Sequence, residues 1–329
     1  MTHALGVADG AALNAADLLL ESRGGTAFPA TDFFSAPMLT ALRFGFRTLQ
    51  LYPPLAAHAG TRLFFAPRKK RQPAFRLPGM EVDSFEVNGK RVPLYRFGAG
   101  KPVLLVHGWE SSVARLQDLI GALMDAGYQV VTFDMPAHGQ STARNTDLIE
   151  VSAVIKHLAR QHGPFEAGIA HSFGGTCLAN AIRERIEVKR LVLFAVPVSA
   201  TMMIDVFTEF LQLRGEARAR FRACVANRLE PLNVVEDLDA RRTISTTGLP
   251  GLIIHDVNDV IVPFANAVQL KQAHDSMRLI ATSGLSHNAV IRDEAAIRAC
   301  VEFVQGSTPC PERAEQQASQ GESGGAACN

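Results

Sequence analysis

The chain has 329 residues, 47% of them hydrophobic, enough to bury a large core without a partner. Lys and Arg number 33 against 32 Asp and Glu, a net charge of +1, which is too little basic excess for a protein that grips nucleic acid by neutralising phosphates. Its 5 cysteines, Cys177, Cys224, Cys300, Cys310 and Cys328, are scattered and show no CxxC spacing, which argues against a zinc site and fits a reducing compartment.

Taken from the start, the chain has no basic segment leading into an unbroken apolar run, and no stretch of about 18 uncharged apolar residues occurs later. Neither export nor membrane spanning is signalled, and a cytoplasmic location is the default expectation. Residues 1–34 are rich in Ala and Gly with little periodicity, and residues 306–329 are a Gly, Ser, Gln and Glu stretch that buries little apolar surface. Both ends are expected to be mobile. Between Met38 and Tyr52, Arg43, Arg47 and Gln50 share one helical stripe while Leu39, Leu42, Phe46 and Leu49 fall elsewhere, so an amphipathic helix is expected, stopped by Pro53 and Pro54. Phe64-Phe65-Ala66-Pro67 then runs into Arg68-Lys69-Lys70-Arg71. Apolar residues beside four charges could meet an anionic membrane surface, so 38–71 is a candidate peripheral contact, although a solvated linker is the preferred reading. Residues 1–80 are thus an N-terminal extension.

From Glu81 onward short β-branched runs alternate with helical stretches. Strands are expected at 81–87, 91–97, 102–106, 129–133, 166–171, 190–195, 251–255 and 278–281. Most connections from the third strand on are long enough for crossover helices, and runs such as Val103-Leu104-Leu105-Val106 and Leu191-Val192-Leu193-Phe194 suit strands covered on both faces. The expected architecture is a doubly wound α/β fold with a mostly parallel sheet of eight strands, built from residues 81–196 and 250–305. The gap at 197–249 is too long for a loop and carries helical apolar spacing at Met202, Val206, Phe210 and Leu213, which marks an inserted helical cap. The arginines that follow, Arg214, Arg218, Arg220, Arg222 and Arg228, are best explained by a solvated helix face, with an anionic substrate as the alternative.

The chemistry gathers at strand ends. After the fifth strand comes Ala170-His171-Ser172-Phe173-Gly174-Gly175, with a helix expected over Thr176–Ile186. A serine on so sharp a turn needs small residues two before and two after it, and Ala170 and Gly174 satisfy that. By itself this pattern is weak, because small-x-Ser-x-Gly is common by chance. Four other segments add to it: Leu104-Leu105-Val106-His107-Gly108-Trp109 after the third strand, Phe133-Asp134-Met135-Pro136-Ala137-His138-Gly139-Gln140-Ser141 after the fourth, His255-Asp256-Val257-Asn258-Asp259-Val260-Ile261-Val262-Pro263 after the seventh, and Ser283-Gly284-Leu285-Ser286-His287-Asn288 after the eighth.

In order and spacing these segments resemble the α/β-hydrolase family over roughly residues 81–305. The elbow of that family usually reads GxSxG, and here Ala170 takes the place of the first glycine; Ala137 likewise replaces a glycine of DxPGHGxS. The resemblance implies a nucleophile at Ser172, an acid at Asp259 and a base at His287, in the family's chain order. It also implies an oxyanion hole formed by the backbone N–H groups of Trp109 and Phe173. Met202, Val206 and Phe210 are the candidate substrate pocket, although an apolar stripe of this kind is more often core. His107 is expected to brace its loop, and Asp134 and His138 to hold the fold, since two such residues without further ligands do not make a metal site. Asp256 is expected to shape its turn while Asp259 is the acid.

The implied activity is cleavage of a small-molecule ester or thioester through an acyl-enzyme, with water as second substrate and with neither metal nor organic cofactor. Acyl transfer to an alcohol is the first alternative. The others are a non-catalytic ligand-binding protein on the same fold and a peripheral membrane or scaffold protein anchored by 38–71.

Overall fold

A computed structural model describes residues 6–7, 36–68, 75–229 and 238–306. The expectations for the rest of 1–34, for Lys69-Lys70-Arg71 and for 307–329 lie outside the described residues. The eight expected strands are all present: β2 (Glu81–Val87), β3 (Lys90–Phe97), β4 (Lys101–Val106), β5 (Tyr128–Phe133), β6 (Ala167–His171), β7 (Leu191–Phe194), β8 (Gly251–Asp256) and β9 (Met277–Thr282). A ninth, β1 (Gly6–Val7), pairs antiparallel with Ala281 and Ile280 at the edge, inside the segment expected to be mobile. The order is β1-β9-β8-β7-β6-β4-β5-β3-β2; the six strands from β9 to β5 run parallel, and β3 and β2 extend them antiparallel.

Alternation along β4 shows why both faces are covered. Leu104 and Val106 pack with Val151, Val154 and Ile155 of one helix layer, while Val103 and Leu105 pack with Leu119, Ile120 and Leu123 of the other. The first layer contains α4 (Leu148–His162), α5 (Phe173–Arg183), α8 (Ala240–Thr247) and α9 (Ala265–Gln272). The second contains α3 (Gln117–Asp125) and α10 (Glu294–Val304). Asp147 caps α4 by accepting from the Glu150 N–H at 2.9 Å, and Asp293 does the same for α10 from Ala296 at 2.9 Å.

The N-terminal extension differs from the single helix expected. α1 (Ala36–Leu49) ends before Pro53, and α2 (Pro53–Phe64) begins on that proline. Pro is excluded from helix interiors yet suits the first helical turn, where its missing N–H costs nothing, so the pair that ends one helix opens the next. The expected polar stripe of α1 is also only partly outward. Arg43 Nε donates to the Phe210 carbonyl at 3.2 Å, and Gln50 is bonded to Gln212 and Arg214, so two of the three polar residues tie α1 down.

The described residues of 197–249 hold three helices, α6 (Ala200–Phe210), α7 (Gly215–Leu229) and α8. α8 packs on α5 and α9, with Thr243 Oγ1 donating to the Ala179 carbonyl at 3.1 Å, so it belongs to the layer over the sheet. α6 and α7 pack instead with α2, where the Phe64 ring meets Phe207 edge-on at 5.0 Å and Phe221 at 5.8 Å. The arginines of this segment are paired: Arg214 and Arg218 with Glu209, Arg218 and Arg222 with Asp205, Arg220 with Glu216, and Arg228 with Asp147.

Candidate active site

Ser172 lies between β6 and α5 with φ +51° and ψ −128°. Such a backbone costs about 1–3 kcal/mol and persists only where the surroundings enforce it. They do so here by close approach. A Cβ on Gly174 would lie 2.3 Å from the His107 carbonyl oxygen, one on Gly175 2.3 Å from Val196, and one on Gly108 3.1 Å from the Ser172 Cβ. Ala170 is fully buried between Val106 and Leu193 of the flanking strands. The helix starts at Phe173, three residues earlier than expected, because both glycines are packed into its first turn.

The loops after β8 and β9 bring two side chains to the serine. His287 Nε2 is 2.8 Å from Ser172 Oγ, and His287 Nδ1 is 2.7 Å from Asp259 Oδ2. Asp259 also accepts from the N–H groups of Ile261 at 2.8 Å and Val262 at 2.9 Å, and its Oδ2 lies 3.3 Å from His255 Nε2. Burial resists ionisation of Asp259, but hydrogen bonds from His255 and His287 outweigh it and hold the carboxyl well below the usual carboxylate range. An ionised carboxylate only accepts, so the proton of His287 stays on Nδ1 and Nε2 offers its lone pair to the Ser172 hydroxyl.

Asp256, at the end of β8, points elsewhere. It accepts from Thr282 Oγ1, from the Leu285 N–H and from the Asn258 N–H, each at 2.9 Å, and so ties the β8 and β9 loops together.

Trp109 and Phe173 flank the serine. Phe173 opens α5, where a backbone N–H has no partner within the helix. The rings of the two residues meet edge-on at 5.1 Å. His107 is fully buried, donates through Nδ1 to the Gly108 carbonyl at 2.8 Å and accepts the Met135 N–H at 3.0 Å, and burial lowers its pKa. Asp134 accepts from Tyr95 Oη and from the N–H groups of Val113 and Gln140, a bracing arrangement. His138 lies against Trp109 and contacts the Pro136 carbonyl at 3.0 Å. Among the described residues no group of three or more His, Cys, Asp or Glu is placed to hold a metal ion.

A cavity of about 250 Å³ opens beside Ser172 and His287, and Met202, Val206 and Phe210 all line it. Part of the lining comes from a segment that the sequence did not assign to the site, Leu63, Phe64 and Phe65 at and just after the end of α2. The Phe64-Phe65 pair was visible as an apolar island before a basic run, but nothing local ties it to residues far along the chain. Arg68, also at the cavity, forms a bidentate pair with Glu110, the residue after Trp109.

Residues 103–299 match the model of the alpha/beta hydrolase family. Among curated proteins, the non-heme chloroperoxidase of Kitasatospora aureofaciens is 41% identical over 46 residues, which take in 14% of this chain and 17% of that protein. Among solved structures, a thioesterase domain from the curacin biosynthetic pathway aligns with TM-score 0.52 and 17% identity, over 69% of this chain and 99% of that one. A putative lipase from Acinetobacter baumannii AYE aligns with TM-score 0.54 and 18% identity, over 69% and 92%. A bromoperoxidase from Bacillus anthracis gives 0.52 and 19%, over 69% and 100%. At these identities the likeness is one of fold.

Proposed function

Because this chain belongs to the alpha/beta hydrolase family, we propose that it is a serine hydrolase that cleaves a carboxylic ester or thioester through an acyl-enzyme on Ser172. The observation that carries the proposal is the line of contacts Ser172 Oγ to His287 Nε2 at 2.8 Å and His287 Nδ1 to Asp259 at 2.7 Å. In the proposed mechanism His287 takes the hydroxyl proton as Oγ bonds to the acyl carbon, and Asp259 stabilises the imidazolium that forms. The carbonyl oxygen becomes an oxyanion facing the N–H groups of Trp109 and Phe173, each such donor being worth about 2.7–4 kcal/mol in the transition state. As the tetrahedral intermediate collapses, His287 returns its proton to the departing alcohol or thiol oxygen or sulfur. Water then attacks the acyl carbon with His287 again as base, which releases the carboxylic acid and restores Ser172.

The acyl group would occupy the cavity between α6 and the end of α2, with α1, α2, α6 and α7 forming the cap. The test is labelling with a fluorophosphonate followed by intact-protein mass spectrometry. The wild type should gain one phosphonyl group and Ser172→Ala none. A wild type that takes up no probe would point to a ligand-binding protein on this fold, and a labelled Ser172→Ala would place the nucleophile elsewhere.

A further inference from the structure

The outward face of the N-terminal helices is apolar where a helix packed on one side should be polar. α1 turns Leu39 and Phe46 inward, with Leu42 and Leu49 partly covered. Its other face still carries Met38 at 53% exposure and Phe44 at 71%, and the turn into α2 adds Leu51 at 86%, Tyr52 at 64% and Leu55 at 48%. Five of the seven large hydrophobic side chains that are exposed among the described residues thus fall within eighteen positions. Scattered exposed hydrophobics are ordinary, whereas a concentration of them on one helical hairpin marks a contact surface.

Charge says what the surface meets. Between Asp32 and Glu81 the sequence contains no acidic residue, while Arg43, Arg47, Arg62, Arg68, Lys69, Lys70, Arg71 and Arg76 are basic. The chain as a whole is nearly neutral at +1, so this segment gathers positive charge well beyond its share. Arg47 on α1 and Arg62 on α2 are exposed. A protein partner would usually offer the hairpin a mixture of polar groups; aromatic and aliphatic tips interleaved with exposed Arg match a layer of anionic headgroups over acyl chains. Among the described residues no helix is long and apolar enough to cross a membrane, so the contact is with a surface.

We infer that α1, the turn at Leu51–Tyr52 and the start of α2 dock this protein onto an anionic lipid surface. On α1 the sequence put Arg43, Arg47 and Gln50 on one polar stripe; in the structure Arg43 and Gln50 bond to the backbone at residues 210–214, and Phe44 and Leu51 stay outside. The same segment continues to Leu63, Phe64 and Phe65 at the cavity, so docking places lipid next to one of its walls.

The test is co-sedimentation of the full chain with vesicles of phosphatidylcholine alone or mixed with phosphatidylglycerol. Binding is expected to the mixed vesicles and not to phosphatidylcholine alone, and to weaken in high salt. Arg47→Glu with Arg62→Glu should lower the partition coefficient by about tenfold or more. Phe44→Ser with Leu51→Ser should lower it by a similar factor, about tenfold. Both pairs should keep the wild-type circular dichroism and fluorophosphonate uptake, because none of the four residues touches the cavity. No partition into the mixed vesicles, or equal partition of wild type and both variants, overturns the inference. So does a wild-type dimer that Phe44→Ser with Leu51→Ser turns into a monomer, which would assign the face to a second copy.

Discussion

His171, the residue before the serine, donates its Nε2–H to the main-chain carbonyl oxygen of His287 at 2.9 Å, and the two rings lie 4.9 Å apart. The strand that presents Ser172 therefore also fixes the backbone of the loop that delivers His287. Burial dominates the state of His171, with the neighbouring His287 adding to it, and together they push its pKa down to about 3.

This makes the fold acid-sensitive. In the unfolded chain His171 titrates near its ordinary value of about 6.5. Between there and about 3 the unfolded state binds a proton that the folded state refuses, so stability falls as pH drops through this window. The slope from one such group reaches at most about 1.4 kcal/mol per pH unit. His171→Gln can still donate to the His287 carbonyl but does not titrate. Its melting temperature should fall less than that of the wild type between pH 7 and pH 5; equal falls would show that His171 is not a source of the acid lability.

The glycines near the serine act through close approach. Gly174→Ala would put a methyl 2.3 Å from the His107 carbonyl and 2.9 Å from that of Val106, both main-chain atoms that cannot swing aside. A loss of about 1–3 kcal/mol or more is expected, with slower fluorophosphonate uptake as the elbow shifts. Gly121→Ala in α3 is the contrast, since nothing lies within 4 Å of its Cβ position. It should gain about 0.5–1 kcal/mol from helix propensity. Thermal denaturation of both reads the sign; a destabilised Gly121→Ala together with a neutral Gly174→Ala would contradict the packing argument.

What the sequence made legible was local. The run Val103–Val106 announces a strand buried on both faces because no polar side chain interrupts it, and Ala170 and Gly174 are small because the serine turn leaves no room. The expectation of Ser172, Asp259 and His287 came from the family resemblance of five segments taken together, since each alone is a weak signal. The part of the cavity lining that comes from the N-terminal helices was not legible, because it depends on contacts such as Arg43 to Phe210, 167 positions apart, and Phe64 to Phe207. Periodicity showed that α1 has two faces without showing which one the rest of the chain would cover.

That lining is testable. Phe64 and Phe210 both line the cavity, one from the N-terminal helices and one from α6. Under the proposed function, Phe64→Ala enlarges the space for the acyl chain. The optimum in kcat/KM across acetyl to decanoyl nitrophenyl esters should move to longer chains, with each methylene worth about 1–3 kcal/mol of discrimination. Phe210→Ala should move it the same way. A Phe64→Ala profile identical to the wild type, in a variant that still takes up fluorophosphonate, would remove the N-terminal helices from the acyl site.

The two aspartates of the β8 loop should separate by what they damage. Asp259 spends Oδ1 on the N–H groups of Ile261 and Val262 and turns Oδ2 to His287 at 2.7 Å, with His255 Nε2 3.3 Å from the same oxygen. In Asp259→Asn the amide oxygen must stay with those two N–H groups, so the NH₂ turns to His287. Nδ1 then has to accept, the ring proton moves to Nε2, and the nitrogen facing Ser172 becomes a donor that cannot take the hydroxyl proton. The expected loss is about 10⁴ in kcat with little change in KM. Asp256 makes no hydrogen bond to His287; its oxygens accept from Thr282, Leu285 and Asn258. Asp256→Asn opposes an NH₂ to a buried donor, a cost of about 1–3 kcal/mol in stability. Its melting temperature should fall while kcat stays within about tenfold of the wild type, a margin of about 1.4 kcal/mol in the barrier. If Asp256→Asn lost kcat as severely as Asp259→Asn while melting like the wild type, the assignment of Asp259 as the acid would be overturned.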